Sequence, residues 1–351
     1  MLDKLELILT MLSDSRFKND VAAFKASRPL FVKYAWDLLV AVGAKRLLVG
    51  GVSLGRLMRQ LRLKNSKLLE SVLAILVEEG ALRYSDGNYS FIREPVPPTV
   101  AQLSFLKEHY LGSLEWIEFV TLRAKKALLS GKPAELTGFE ASKSLDLWEA
   151  IMDGAPHSFR RYAIRKFTRN IAKNSHVLDF GCGGGSGLEQ ILRETSIPIY
   201  LEGIDPSPKY LLRARRRLSK LKGQSAVVDE NLGRLKLLTI SPSSKSNDVF
   251  KQLERQKYDV VFLSLVLNHV PVDERSNLFQ NLRSLLKPDG KLVIYQIINL
   301  GAFKRSPIWI MHVIPSHTEY PFKDEYLRQL KSVFPKVDVF FDGVVTISRN
   351  R

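Results

Sequence analysis

The residues with the clearest chemical potential lie in VLDFGCGGGSG, Val177–Gly187. An apolar run ends in a glycine-rich loop that opens a helical stretch. In that setting backbone can approach a ligand closely, and the helix N-terminus favours negative charge. A phosphate-binding P-loop is excluded, because Gly187 is followed by Leu188-Glu189 rather than by Lys and Ser or Thr. The dinucleotide fingerprint G-x-G-x-x-G is met only in part, since its last glycine falls on Ser186. Asp179 discriminates further. A carboxylate two residues before Gly181 repels a pyrophosphate and attracts an ammonium group. A second strand-like run, IYLEGIDPSP, ends at Asp205, 24 positions after Gly181. An acidic residue there can accept hydrogen bonds from both ribose hydroxyls.

An ammonium group, an adenosine and no phosphate describe S-adenosyl-L-methionine, whose carboxylate can meet the loop amides. The plainer alternative is a tight turn at Gly181–Gly187 with Asp205 as a helix cap. If the ligand is the methyl donor, the protein must align an acceptor for in-line displacement and exclude water. A phenol or enol acceptor also benefits from a base, and histidine is poised for that near neutral pH. His269, in LNHVP just after the fourth strand-like run, is the candidate. Its alternative role is to orient the loop or contact the cofactor.

These residues need a scaffold. From about Leu145 the runs HVLDFG, IYLEGID, LKLLTIS, YDVVFLSL and KLVIYQI alternate with helical stretches such as KYLLRARRRLSKL and ERSNLFQNLRSLL. That alternation predicts a parallel sheet covered on both faces, closed near the end by an antiparallel pair, KVDVFFD and VVTISR. Residues 1–98 follow another plan. Ser53 could cap a helix over Leu54–Leu63, and Ser66 could cap a second, SKLLESVLAILVEEG, stopped by Gly80. Two short strand-like runs around Asp86-Gly87 give a hairpin signal. Helix, turn, helix, hairpin is the order of a winged helix-turn-helix. PVPP at 95–98 marks a boundary. Residues 99–144 read as linking helices, and 145–351 as the ligand-binding domain.

VLDFGCGGGSG, GIDPS, YDVVFLSLVLNHV and LRSLLKPDGKLVIY, in this order, resemble the class I S-adenosylmethionine-dependent methyltransferases over about Leu145–Arg351. The resemblance implies an α/β fold: a doubly wound, Rossmann-like, mostly parallel seven-stranded sheet. It places Asp179, Gly181, Cys182 and Gly183 at the methionine end of the cofactor, and Asp205 and Pro206 at the ribose and adenine. Ser264 and Leu265 fall at the end of the fourth strand, close to the cofactor. Ser241, after the third strand, is the residue expected at adenine, with DENL at 229–232 as its rival. The N-terminal part is similar to that of small-molecule O-methyltransferases, where a winged-helix domain serves dimerisation and covers the substrate pocket. LWEAIMDG at 147–154 resembles the segment these enzymes place before the cofactor strand. Many plant members carry a catalytic histidine in an LHDW segment. Here Asn268 stands at that position and His269 one residue later.

Composition bounds the rest. Cys182 is the single cysteine, which excludes an internal disulfide and a four-cysteine zinc site. No apolar run is long enough to span a bilayer, and the charged N-terminus MLDKLELILTML argues against a signal peptide, so a cytoplasmic, soluble protein is expected. The net charge of +17 invites a polyanionic partner. Seven Lys or Arg and no acid lie between Asp37 and Glu70, six between Asp153 and Asp179, and seven between Asp205 and Asp229. Yet SKLLESVLAILVEEG, the presumed base-reading helix, is apolar nearly all round, which suits burial or a dimer interface better than a DNA groove. The expected partners are therefore a small-molecule acceptor, probed through the apolar IWIMHVIPSHTEYPF segment with His312 and His317, and a second copy of the chain. Nucleic acid or protein as the methyl acceptor is the alternative, and a non-enzymatic, cofactor-sensing regulator a third reading.

Overall fold

The computed structural model describes residues 16–136, 138–154, 156–239, 250, 253, 257–298, 308–313, 320–340 and 343–351. The described chain divides into two compact units, one within Asp14–Pro156 and Asn299–Thr318, the other within His157–Ile298 and Glu319–Arg351.

The first unit is mostly helical: α1 (Phe17–Ala41), α2 (Lys45–Val49), α3 (Leu54–Gln60), α4 (Ser66–Glu78), α5 (Val100–His109), α6 (Leu111–Ser130) and α7 (Gly138–Met152). Three short strands join them, β1 (Val52–Ser53), β2 (Leu82–Ser85) and β3 (Asn88–Phe91), in the spatial order β1-β3-β2. Ser53 caps α3 as the sequence suggests, its side chain accepting from the Arg56 amide. The helix stops at Gln60, short of Leu63, with Arg62 in the left-handed region at φ 53°. The cap of α4 is one residue earlier than expected. Asn65, not Ser66, holds the non-helical position, and its Oδ1 accepts from the Leu68 amide at 3.0 Å. Asp86 and Gly87 both have positive φ, 51° and 76°, the two-residue turn that matches strand twist and fixes the β2–β3 register.

Helix α4 is buried within its own unit. Leu68, Leu69, Val72, Leu73, Ile75 and Leu76 are each 1% exposed or less. It packs on α1, β2 and the 3-10 turn Ile308–His312. Its apolar character is thus satisfied inside the chain and needs no second subunit. The same turn buries Trp309, Ile310 and Met311, so these apolar residues are core of this unit.

The second unit continues in chain order with α8 (Pro156–Thr168), β4 (His176–Phe180), α9 (Ser186–Glu194), β5 (Tyr200–Asp205), α10 (Pro208–Ser219), α11 (Ala226–Gly233), β6 (Lys236–Thr239), β7 (Tyr258–Ser264), α12 (Arg275–Leu285), β8 (Leu286–Tyr295), α13 (Lys323–Val333), β9 (Lys336–Phe340) and β10 (Val345–Arg349). The seven strands run in the order β6-β5-β4-β7-β8-β10-β9. β6 to β8 are parallel, and β10 is antiparallel to both neighbours. β4, β5 and β7 are largely buried on both faces because helices cover both. Leu178, Val261, Leu263 and Ile294 pack with Phe279 and Leu282 of α12 and with Tyr326 and Leu330 of α13. On the other face Phe262 meets Phe167 of α8.

The chain leaves β4 for β5 and β6 on one side, then returns to β7 on the other. Strand order reverses between β4 and β7, and ligands of such sheets bind at that crevice beyond the carboxyl ends of the strands. β6 lies within the expected third run, LKLLTIS. DENL at 229–232 is therefore not the segment after the third strand. It lies in α11, where Asn231 is fully buried and bonds the backbone of Ile199 and Ile197. Ser241 and His317 lie outside the described residues.

Candidate active site

The glycine loop is built by close approaches that a side chain would block. Gly181 has φ 76°, and a Cβ there would lie 2.7 Å from Val266 Cγ2. Gly185, φ 84°, caps α9, and a Cβ there would lie 2.9 Å from Ala214 Cβ, so its absence lets α9 meet α10. Gly183, φ 52°, is different, because no atom lies within 4 Å of the place its Cβ would take. That glycine faces open space and leaves room for a ligand against the backbone.

Three loop amides are engaged inside the protein. The Gly181 and Cys182 N–H groups both donate to the Ile204 carbonyl at 2.9 Å, and the Gly183 N–H donates to Asp205 Oδ2 at 3.0 Å. The Cys182 side chain is core. Its Sγ packs over Gly203, 3.0 Å from where a Cβ would stand, and burial pushes the thiol pKa far up. Cys182 thus has only its backbone to offer a ligand.

Asp179 is 1% exposed, and among the described residues neither carboxylate oxygen has a hydrogen-bond partner. Its Oδ2 lies 2.7 Å from the position of a Cβ on Gly187, in the first turn of α9. Burial pushes its pKa up to about 7, the Arg160 guanidinium pulls it down, and the Asp205 charge adds to the rise. A buried, unpartnered carboxyl is costly and marks a place where a counter-charge is missing.

Asp205, at the end of β5, is held from both sides. Oδ2 accepts from the Gly183 amide and Oδ1 from the Ser207 amide at 2.8 Å. Burial raises its pKa, while those two amides and the positive charge of His269 lower it. Both oxygens keep further lone pairs for ribose hydroxyls. Pro206, next in the chain, is exposed.

At the end of β7, Ser264 is half-buried and Leu265 turns the chain with φ 57°, a strained conformation for a non-glycine residue. The Leu265 amide donates to the Tyr295 carbonyl at 2.9 Å. The 3-10 turn Leu267–His269 follows. Within it the two polar neighbours point to different environments: Asn268 is 1% exposed, and His269 is exposed. Asn268 is held by Gln296, which sequence reasoning missed. Gln296 is fully buried after β8, its Oε1 accepts from the Leu267 amide at 3.1 Å, and its Nε2 donates to Asn268 Oδ1 at 3.1 Å. The only sign in sequence was a glutamine near the end of the apolar run KLVIYQI.

The structure thus gathers Asp179, Gly181, Cys182, Gly183, Asp205, Pro206, Ser264, Leu265 and His269 at the carboxyl ends of β4, β5 and β7. The donor set suits an adenosyl amino acid. Asp179 is an unpartnered acceptor for an ammonium, Gly183 leaves open space, and Asp205 is oriented for a diol. Among the described residues no cluster of His, Cys, Asp and Glu could hold a metal ion.

A family model described as a methyltransferase domain matches residues 178–292, from β4 to β8. The segment is a methyltransferase domain. Within it lie the glycine loop, Asp205, His269 and the first residues of β8. A ubiquinone biosynthesis O-methyltransferase of Coxiella burnetii is 28% identical over 120 residues, 34% of this chain and 42% of that protein. The chain therefore spans less than half the length of this curated relative. The fold is shared more widely. A CurJ carbon methyltransferase superposes with a TM-score of 0.69 at 16% identity, over 99% of this chain and 96% of the other. The CMeT domain of the citrinin polyketide synthase gives 0.64 at 12%, over 98% and 93%. Among the described residues no helix is long and apolar enough to cross a membrane.

Proposed function

We propose that the protein transfers the methyl group of S-adenosylmethionine to an oxygen or carbon atom of a small, aromatic or quinone-like acceptor. The buried, unpartnered Asp179 carboxylate beside an open Gly183 and a braced Asp205 carries the reading of the donor. When bound, the donor supplies a methyl group activated on a sulfonium. Asp179 holds its ammonium, Asp205 its ribose, and the Ser264–His269 segment borders the transferred group. The acceptor class is supported by the ubiquinone-pathway relative.

His269 is the candidate base for an acceptor hydroxyl. It sits in solvent contact, where a captured proton can leave, and its charge reaches Asp205. Ser241 keeps its proposed place at adenine.

The basic runs give little support to a nucleic-acid acceptor, because several of their arginines are committed internally. Arg161 and Arg165 pair with Glu194, and Arg217 pairs with Glu189. The helix-turn-helix-hairpin order of residues 54–91 supports a winged-helix reading, with α4 as core rather than as a groove reader. A homodimer through the N-terminal unit, in a cytoplasmic protein, belongs to the same proposal. Its support is α6, where Leu111, Leu122 and Leu129 are 51%, 81% and 39% exposed on one stripe. Exposed Glu115 and Glu118 precede Leu122 on that stripe, and exposed Lys125 and Lys126 follow it. An antiparallel second copy would place leucine on leucine and acid on base.

The test is calorimetric titration of S-adenosylhomocysteine into the protein, then single-turnover methylation of catechol and quinol panels. Asp205→Ala should abolish binding. Retained affinity in that variant would overturn the ribose assignment.

A further inference from the structure

We infer that α3, α4 and the turn between them dock on the phosphate backbone of a DNA duplex, a binding function separate from methyl transfer and independent of the proposed acceptor.

Charge is sorted along this part of the chain. No Asp or Glu occurs from Leu38 to Leu69. The cations that precede α3 are matched by acids of the same unit: Arg28 pairs with Glu78 and Glu79, Lys33 with Asp37, and Lys45 with Glu94. Those of the helix-turn-helix are not. Arg56 and Arg59 on α3, Arg62 and Lys64 in the turn, and Lys67 in the first turn of α4 are all exposed. Among the described residues none of these five side chains makes an ion pair or a hydrogen bond. Like charges crowded into so short a segment repel one another, and a polyanion relieves that repulsion.

Backbone contacts hold these charges in place. The Lys64 and Asn65 amides both donate to the Leu128 carbonyl of α6, at 2.9 and 3.2 Å, which pins the turn. Asn65 caps α4 through the Leu68 amide alone. The amides of Ser66 and Lys67 have no acceptor among the described residues. Free amides at the positive end of a 13-residue helix add to the attraction for an anion.

The kind of partner follows from what this face contains and what it lacks. Three of its five cations are arginines, whose planar guanidinium matches phosphate oxygens. No large apolar residue is exposed between Gly50 and Arg83. The face therefore has no apolar anchor of the kind that protein interfaces and insertion into a lipid surface depend on. A regular array of phosphates needs none. In DNA-binding helix-turn-helix units the first helix crosses the backbone, and the second meets the groove with its N-terminal residues. Here α3 and the turn carry four of the five charges. Between Ser66 and Leu76, α4 exposes only Ser66, Lys67 and Glu70, too few to read base edges along a groove. Contact is thus with phosphates, and binding is indifferent to sequence.

The experiment is fluorescence anisotropy with labelled DNA duplexes of two unrelated sequences over a series of salt concentrations. Both duplexes should bind equally, and log K should fall against log salt with a slope of about −4 to −5, since each neutralised phosphate contributes about 0.9. Replacing Arg59 and Arg62 together by Ser should make the slope shallower by about 2. The thermal midpoint of that variant should stay where it is in the wild type, because both side chains are exposed. Replacing Arg215 and Arg216 by Ser, which removes two exposed cations of α10 in the other unit, should leave the slope unchanged. No duplex binding at the lowest salt, an unaltered slope in the Arg59 and Arg62 variant, or an equal shallowing in the Arg215 and Arg216 variant overturns the inference. So does tighter binding of polyglutamate or of phosphatidylglycerol vesicles at equal salt, which would assign the face to an acidic protein or a lipid surface. Calorimetry with S-adenosylhomocysteine is untouched by any of these outcomes, so failure here leaves the proposed reaction standing.

Discussion

Asp179→Asn should make the ligand-free protein more stable at alkaline pH while removing its response to ligand. Asp179 titrates near 7 in the folded chain, against an ordinary carboxyl value of 3.8. The folded state therefore binds this proton more tightly than the unfolded state does. Stability from this group is fully present below about pH 4 and is lost as pH rises through about 7. The full loss is about 3 pH units, or roughly 4 kcal/mol, of which about 2–3 kcal/mol falls between pH 5 and 8. Asparagine cannot ionise, so it escapes that loss, but it buries an amide without a partner, at about 1–3 kcal/mol. The two effects oppose each other. The variant should be no better than wild type at pH 5 and more stable by about 1–3 kcal/mol at pH 8. Urea unfolding of both proteins at the two pH values measures the difference, and S-adenosylhomocysteine added at pH 8 should stabilise only the wild type. A stability difference independent of pH would show that Asp179 is not the perturbed, unpartnered carboxyl described above. An undiminished ligand response in the variant would show that the carboxylate does not hold the ammonium.

Three further outcomes are expected. Gln296→Leu removes the acceptor for the Leu267 amide and the partner of Asn268, so it should cost about 1–3 kcal/mol and raise the cofactor KM; a change in stability with no change in KM would confine Gln296 to the core. His269→Ala should lower kcat for a hydroxyl acceptor and flatten the acidic limb of the pH–rate profile, whereas an unchanged profile would remove it as base. Leu122→Lys should shift the protein toward monomer in sedimentation, since it places charge at the centre of the α6 stripe; an unmoved mass in a dimeric protein would place the interface elsewhere.

The fold was legible because periodicity and motif order carry it. Five strand-like runs separated by helical ones became β4–β8, and the two C-terminal runs became the antiparallel pair β9 and β10. The N-terminal hairpin was legible from Asp86-Gly87 alone, since few residue pairs accept two successive positive φ values. Helix ends were less so. Asn65 and Ser66 are both good caps, and only the backbone angle at each decides between them. The apolarity of α4 was read correctly as burial, but sequence does not say against what. A helix apolar all round is equally suited to a second copy or to α1 and the turn at 308–312 folding back over it.

The site divides along the same line. Residues whose role depends on backbone conformation or on position at a strand end were legible, because glycine and aspartate there have few other uses: Gly181, Gly183, Asp179 and Asp205. Residues whose role depends on what the sheet brings alongside were not. Gln296 is 28 positions from Asn268, and Arg160 is 30 from Gln190, so neither pairing has a local signature. Arg160 was visible only as one charge in a basic run, where it resembled its less buried neighbours. Burial separates them, because a solvated arginine needs no partner, whereas one that is 1% exposed must be matched by charge and hydrogen bonds. The same reasoning reinterprets the net charge of +17. A surplus counted along the chain measures neither a field nor a partner until the arginines that α9 holds through Glu189, Gln190 and Glu194 are set apart from those that face water. Part of what looked like a surface for polyanions is thus spent inside the second unit, on the helix that follows the glycine loop.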